Sequence, residues 1–385
     1  MPNRKTTLVP LQRMNKVLTL ATLLTLLLIA APLAAATYTV NSLADNTNDD
    51  AFCTLREAIL AANNAPADTN CGAASTGDDT IVFGVSGTIP LASQLPDIAT
   101  SASAGKLTID GSGQSVAVSG ESSYRVFLVP PGADLALNEL TVENGSASTP
   151  GTGGCYCGGG LYNDGNVTVT RSTFVNNSAT SGGGLYSWID GTTKIINSTF
   201  FGNQASSSGG GLTDGSSTVA ISYSTFTQNS AGVSGGGLAV FTSSTTVKAS
   251  IIASNTGGDC YISFAPAFLA MGANLDDDGS CTGFSLSHVT PELDPNGLQN
   301  NGGPTDTVAL LPSSIAVDAG ADCTDLDGNT VTTDQRGVAR PQGTACDLGA
   351  YEYQSTVAIP ALSYTGLALL GLLLALGATT LLRRG

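Results

Sequence analysis

Four short segments return at a fixed interval: STFVNN at 172–177, STFFGN at 198–203, STFTQN at 224–229 and SIIASN at 250–255. Phe174, Phe200, Phe226 and Ile252 are each 26 residues apart, and so are Asn177, Asn203, Asn229 and Asn255. Val169, Ile195, Ile221 and Val247 keep the same step. A period of this size means stacked copies of one supersecondary unit. Alternations such as Val167-Thr168-Val169 mark the pieces as strands, and no helical spacing occurs between Gly158 and Asn255. Glycine triplets ending at Leu161, Leu185, Leu212 and Leu238 separate them. The pattern predicts an all-β chain, a single-stranded right-handed parallel β-helix, in which equivalent residues stack about 4.8 Å apart. Phenylalanine then lies on phenylalanine inside a narrow interior, and asparagine passes amide hydrogen bonds from coil to coil. The glycines supply backbone freedom at tight bends.

Disorder would not preserve these columns, and the leucine spacing of leucine-rich repeats is absent. Degraded coils precede the clear ones at 78–91, 105–113 and 134–147, with Val142 aligned to Phe174 although 32 residues separate them. The surplus falls on GTGGCYCGGG, which predicts an enlarged loop there. The coils are assigned to 78–300, clearest over 158–255, as some eight turns in a rod of roughly 40 Å.

The two ends read differently. Residues 1–36 carry Arg4, Lys5, Arg13 and Lys16, then an apolar run and an alanine exit, the order of a secretory signal peptide. Thr365–Leu382 lacks charge and is followed by Arg383 and Arg384. This predicts a transmembrane helix with its arginines on the cytoplasmic side. The ends hold six of the 14 Lys and Arg and none of the 30 Asp and Glu, leaving the body at 8 minus 30, or −22. Such a surface excludes nucleic acid as a partner. Eight cysteines fit an oxidising compartment. Nearest-neighbour pairing, Cys53 with Cys71, Cys155 with Cys157, Cys260 with Cys281 and Cys323 with Cys346, is one of 105 connectivities.

At 53–64, CTLREAILAANN places Thr54 and Glu57 as a capping box, with Leu55, Ile59 and Ala62 on one helical face. This predicts a short helical N-terminal cap within 37–77. The stretch resembles the CSLREA domain of secreted bacterial β-helix proteins, with GDDTIVF just after it also in keeping. The GGGL and Phe-x-x-Asn repeats are similar to those of polymorphic outer-membrane proteins. Residues 301–353, with NGGPTDTVALLPSSIAVDAG and TDQRGVARPQGTACDLGAYEY, resemble the choice-of-anchor Q domain. IPALSYTG and the tail after it, within 355–385, are similar to the IPTL-CTERM sorting signal, with Ala361, Tyr364 and Thr365 departing from its pattern. These resemblances imply an exported protein held at the cell envelope or released after tail processing. They imply a membrane contact through the tail and a sorting enzyme that reads it. Asp318, Asp334, Asp347 and Glu352 with Arg336 and Arg340 predict an ion-paired C-terminal cap over 301–354.

Chemistry is sparse. Asp164, Asp190 and Asp214 each precede glycine and are the catalytic candidates if the chain is a polysaccharide lyase or glycoside hydrolase acting on its outer face. Asp-Gly is also ordinary turn chemistry, the reading adopted. Asp322, Asp325 and Asp327, and separately Asp276-Asp277-Asp278-Gly279, faintly resemble calcium loops without the full spacing, so calcium is the only cofactor in question. Tyr162, Tyr186 and Trp188 follow glycine triplets and would form a sugar-stacking strip unless a loop packs on them. His288 has no positioned nucleophile. The favoured function is a non-catalytic surface rod for adhesion, matrix or glycan contact.

Overall fold

The computed structural model describes residues 35–48, 50–65, 69–151, 154–189, 191–242, 244–263 and 268–355. The segments read from sequence as a signal peptide before residue 35 and as a sorting tail with a transmembrane helix after residue 355, and Asp190, lie outside them. Among the described residues no helix is long and apolar enough to cross a membrane.

The chain winds as a parallel β-helix. One long sheet has nine parallel strands, from Thr37–Val40 and Asp79–Phe83 through Asn166–Thr170, Thr192–Ile196 and Thr218–Ser222 to Phe268–Met271. A second has seven strands, from Gly87–Pro90 to Ile251–Ala253, and a third has six, from Phe127–Val129 to Cys260–Ile262. The register is the 26-residue register of the sequence: Phe174 pairs with Phe200 and Phe200 with Phe226. Val169, Ile195, Ile221 and Val247 form the parallel column. Val142 pairs with Phe174 across the longer interval. The three phenylalanine rings stack nearly flat, with centroids 4.7 and 4.4 Å apart, and all are fully buried.

Corners are made by single residues in the left-handed region. Arg171, Asn197, Tyr223 and Ala249, with φ of 47–50°, turn the chain from the long sheet into the seven-stranded one. The glycine triplets have two roles. The first member of each, such as Gly182 at φ +62°, uses the conformational freedom of glycine. The third has no room for a side chain: a Cβ on Gly184 would lie 2.6 Å from the carbonyl of Gly211 in the next coil. Close stacking, as much as tight bending, therefore demands the triplet.

Two polar columns run inside the coils. Asn177 Nδ2 donates to Asn203 Oδ1, Asn203 to Asn229 and Asn229 to Asn255, at 2.9–3.0 Å. A serine column accompanies it, with the backbone N–H of Ser172, Ser198 and Ser224 each donating to the hydroxyl of the serine 26 residues on. The asparagine column ends on Asp259, whose Oδ1 accepts from Asn255 Nδ2 at 2.9 Å.

The N-terminal helix, Leu55–Ala62, has both capping-box bonds between Thr54 and Glu57. Leu55 and Ile59 enter the main core, and Cys53–Cys71 ties the segment down. The long sheet begins with Thr37–Val40, one strand before the helix, so the cap region also contributes a coil. All four cysteine pairs are sequence neighbours, as secreted chains permit.

The C-terminal segment is ion-paired but is not a lid over the end of the rod. It docks along the flank, on the outward face of the seven-stranded sheet. Outward threonines make the contact: Thr173 donates to the Asp306 carbonyl, Thr199 to Gln335 Oε1, and Thr225 accepts from the Ala350 N–H. Arg340 pairs with Glu352 at 2.8 Å with both side chains fully buried, and Arg336 pairs with Asp334 at 2.7 Å. Hydroxyl-bearing residues on that face supply partners for an otherwise flat outer sheet, which is why the segment lies there.

Candidate functional site

The flank-docked segment covers only part of the seven-stranded sheet. Thr173 and Thr199 are sealed beneath it, whereas Thr88, Ala117 and Thr141, the same outward row on earlier coils, are not. The step between covered and uncovered strands is a groove of about 210 Å³. Its floor includes Thr88, Ser115 and Thr141, and its wall Asn300, Pro304 and Asp306. Glu143 closes one end, at the last position of strand Leu140–Glu143.

The groove is acidic. Burial, then the neighbouring carboxylates Glu121 and Asp306, push the Glu143 carboxyl above its ordinary value. Burial raises Asp306 likewise. Glu121 is held by the Ser119 hydroxyl at 2.7 Å. Burial, and for Glu143 like-charged neighbours, make these carboxyls easier to protonate than free ones. Among the described residues, no lysine or arginine lines the groove, so a polyuronate would meet like charge, whereas a neutral sugar would meet threonine, serine, asparagine and carboxyl groups. At about 210 Å³ the space is below the roughly 300–1,000 Å³ of drug-sized pockets, a size for one sugar ring or one side chain. Sequence reading passed over Glu143 and Asp306, since they lie in different regions and only the docking of the C-terminal segment brings them together.

Of the aspartates singled out from sequence, Asp164 and Asp214 are both buried. Asp214 is fully buried, in register with Ser187 and Asn163 and not with Asp164. Its oxygens accept from Ser217 N and Oγ and from Thr245 Oγ1, at 2.6–3.0 Å. This is turn chemistry inside the coil, because a short acceptor there satisfies the buried donors. Asp164 is also buried, in the turn after strand Leu161–Asn163. Asp190 lies outside the described residues.

Asp322, Asp325 and Asp327 do not converge on one point; they reach lysines on the long sheet. Lys248 pairs with Asp322 at 2.8 Å, and Lys194 with Asp327 and, at 3.4 Å, Asp325. The Lys248 contact holds the Asp322 carboxyl down at about 2. Asp325 also accepts from the backbone of Asp327 and Asn329, the pattern of a tight turn. These residues fasten the C-terminal segment to the rod.

The aromatic strip is stacked, with Tyr162 and Tyr186 centroids 5.5 Å apart and Tyr186 and Trp188 5.7 Å apart. Tyr162 is nonetheless fully buried, with Gly151 packed close against its ring. Arg125 lies over the same ring and donates to the carbonyls of Thr149, Cys157 and Gly158, which ties those residues together. Burial pushes the Tyr186 hydroxyl up to about 12. Only Trp188 keeps a substantial surface, so the strip is packing for the enlarged loop.

Residues 99–269 match the family model described as a right handed beta helix region. No curated protein sequence matches the chain. Among solved structures the chain is similar to jun a 1, the major allergen from cedar pollen, at 12% identity and a TM-score of 0.25, over 66% of this chain and 75% of that one.

Proposed function

We propose that this parallel β-helix protein is exported and displayed at the cell surface. There it serves as a rigid, non-catalytic rod that contacts neutral glycan or matrix through the flank groove at Thr88, Thr141, Glu143 and Asp306. The CSLREA-like start, the choice-of-anchor Q-like segment and the IPTL-CTERM-like tail support export and sorting, and the four disulfides accord with an oxidising compartment. The observation that carries the reading is the acidic, hydroxyl-lined groove without any basic group. A polyuronate in this groove would face carboxylates with no basic side chain among the described lining residues, whereas a neutral sugar would face hydroxyl, amide and carboxyl partners.

A second reading rests on the neighbouring Glu143 and Asp306 carboxyls of the groove, since a pair of carboxyls is the equipment of glycoside hydrolysis. One experiment separates the two. Residues 37–356 are applied to arrays of neutral and uronic-acid glycans and then incubated with the same glycans in solution. Retention on neutral glycans, lost in Thr141→Arg and Glu143→Ala and without new reducing ends, is the expected result. New reducing ends abolished by Glu143→Gln would establish the hydrolase, and unsaturated products a lyase.

A further inference from the structure

The last coil carries a cluster of acids that the groove does not use. Asp259 and Asp276 are both fully buried, Asp278 is exposed, and one carboxylate oxygen from each lies within 4.8 Å of the others. Among the described residues, no lysine or arginine ion pair reaches them. Local bonds fix their positions. Asp259 Oδ1 accepts from Asn255 and its Oδ2 from the Asp277 N–H at 3.1 Å. Asp278 Oδ2 accepts from the Asp259 N–H at 2.9 Å. The Cys260–Cys281 disulfide clamps the two segments that supply them.

Asp276 is the separate observation. It has no exposed surface, and among the described residues its Oδ2 accepts a single 3.3 Å bond from the Cys281 N–H while its Oδ1 has no hydrogen-bond partner. A buried carboxylate oxygen left this way is costly unless something positive meets it. Two oxygens bound to one calcium ion at about 2.4 Å lie at most about 4.8 Å apart. The three carboxylates lie close enough to share one ion, and calcium, with its flexible coordination, accepts an irregular oxygen set more readily than magnesium, which demands near-ideal octahedral geometry and gives up water reluctantly.

We propose that Asp259, Asp276 and Asp278 bind one calcium ion, which locks the terminal coil of the rod. Asp276 Oδ1 is the buried ligand, Asp259 joins the ion to the end of the asparagine column, and exposed Asp278 gives access from solvent. The step is ion binding alone. It is independent of the flank groove, so failure of the glycan reading leaves it standing.

The test uses the secreted chain with its disulfides intact. It is stripped with EDTA and titrated with calcium chloride or magnesium chloride by calorimetry, with thermal unfolding followed in parallel. One calcium per chain is expected, with magnesium at least tenfold weaker. A calcium concentration 100-fold above Kd should raise the folding constant about 100-fold. Asp276→Asn keeps the shape and should abolish both responses, and Asp278→Asn, at an exposed position, should weaken calcium binding at least tenfold in a chain that still folds. Asp325→Asn, in the lysine-paired loop, should leave binding unchanged. No calcium uptake at millimolar concentration, or full uptake in both Asp276→Asn and Asp278→Asn, overturns the proposal.

Discussion

The asparagine column makes a sharp energetic demand at Asn203, whose amide is fully used. Its Nδ2 donates to Asn229 Oδ1 and to the Phe174 carbonyl, both at 2.9 Å. Its Oδ1 accepts from the Asn177 backbone N–H at 3.0 Å and from Asn177 Nδ2 at 2.9 Å. Asn203→Ala strands both Asn177 donors at a site with no solvent access. Each buried orphan costs about 1–3 kcal/mol, so the substitution should cost about 4 kcal/mol, within a span of about 2–6. Asn203→Asp is more diagnostic. It keeps both acceptor bonds but turns an oxygen toward Asn229 Oδ1 and the Phe174 carbonyl, so it must hold a proton to fit. A carboxyl with a folded pKa above its unfolded one favours the folded state at low pH, and this advantage is lost as pH rises through the folded value. Urea unfolding followed by circular dichroism at pH 4 and pH 7 reads both effects. A cost below about 1 kcal/mol for Asn203→Ala, or an Asn203→Asp chain that gains stability relative to wild type as pH rises, would refute a continuous column.

Gly184→Ala sets a Cβ 2.6 Å from the Gly211 carbonyl, and the coils must separate to admit it. It should cost about 3 kcal/mol or more, against about 1–2 for Gly113→Ala, where φ is +80° but nothing lies within 4 Å; urea midpoints compare them. Arg340→Ala leaves Glu352 buried without its cation and should cost about 3–5 kcal/mol. Limited proteolysis should then release the segment after residue 300 before the coils are cut, and an unchanged digestion pattern counts against flank docking. Burial pushes the Asp347 carboxyl up to about 6 from 3.8. Its contribution therefore favours the folded state at low pH and falls by about 3 kcal/mol as pH rises from about 4 to 6. Stability curves of Asp347→Asn and wild type should diverge in that window, and parallel curves would remove the assignment.

How much of this was legible depended on whether a residue acts along the column or across the chain. Phe174, Asn177 and Val169 declared their stacking because the same side chain recurs at the same step, and each coil is its neighbour's template. The capping box at Thr54 and Glu57 was legible because helix starts are local. The serine column went unread although Ser172, Ser198, Ser224 and Ser250 keep the same period; a small polar residue in a serine-rich chain gives little contrast. Asp214 was legible as a turn residue, but its burial was not, because Asp-Gly fixes a turn and not the side on which the carboxylate lies. The groove was wholly illegible. Thr141 and Asp306 are far apart in sequence, and no periodicity tells that the C-terminal segment folds back along the flank.

The two internal columns have a direction, and that direction explains why the acids gather at one end. From amide to amide, each asparagine donates one N–H to the asparagine of the following coil and accepts from that of the preceding one. Its second N–H meets a carbonyl of the preceding coil. At the start of the column, Asn177 meets the Gly145 N–H and the Val142 carbonyl, both backbone groups that an amide can satisfy. At the finish, Asn255 needs an acceptor beyond the last repeat, and nothing there requires a donor in return. Asp259 meets that need. The serine column ends in the same place, where the Ser250 N–H finds Asn274 Oδ1 at 3.0 Å instead of a fifth serine. The segment from Asn274 to Cys281 thus replaces, with irregular acceptors, what another coil would have supplied regularly. A rod extended by one more copy of residues 230–255 after Asn255 should carry both columns through and push the acidic terminus outward unchanged. If the added coil leaves Asp259 without a donor from the new asparagine, in a structure of the lengthened chain, the direction of the column is not what places the charge.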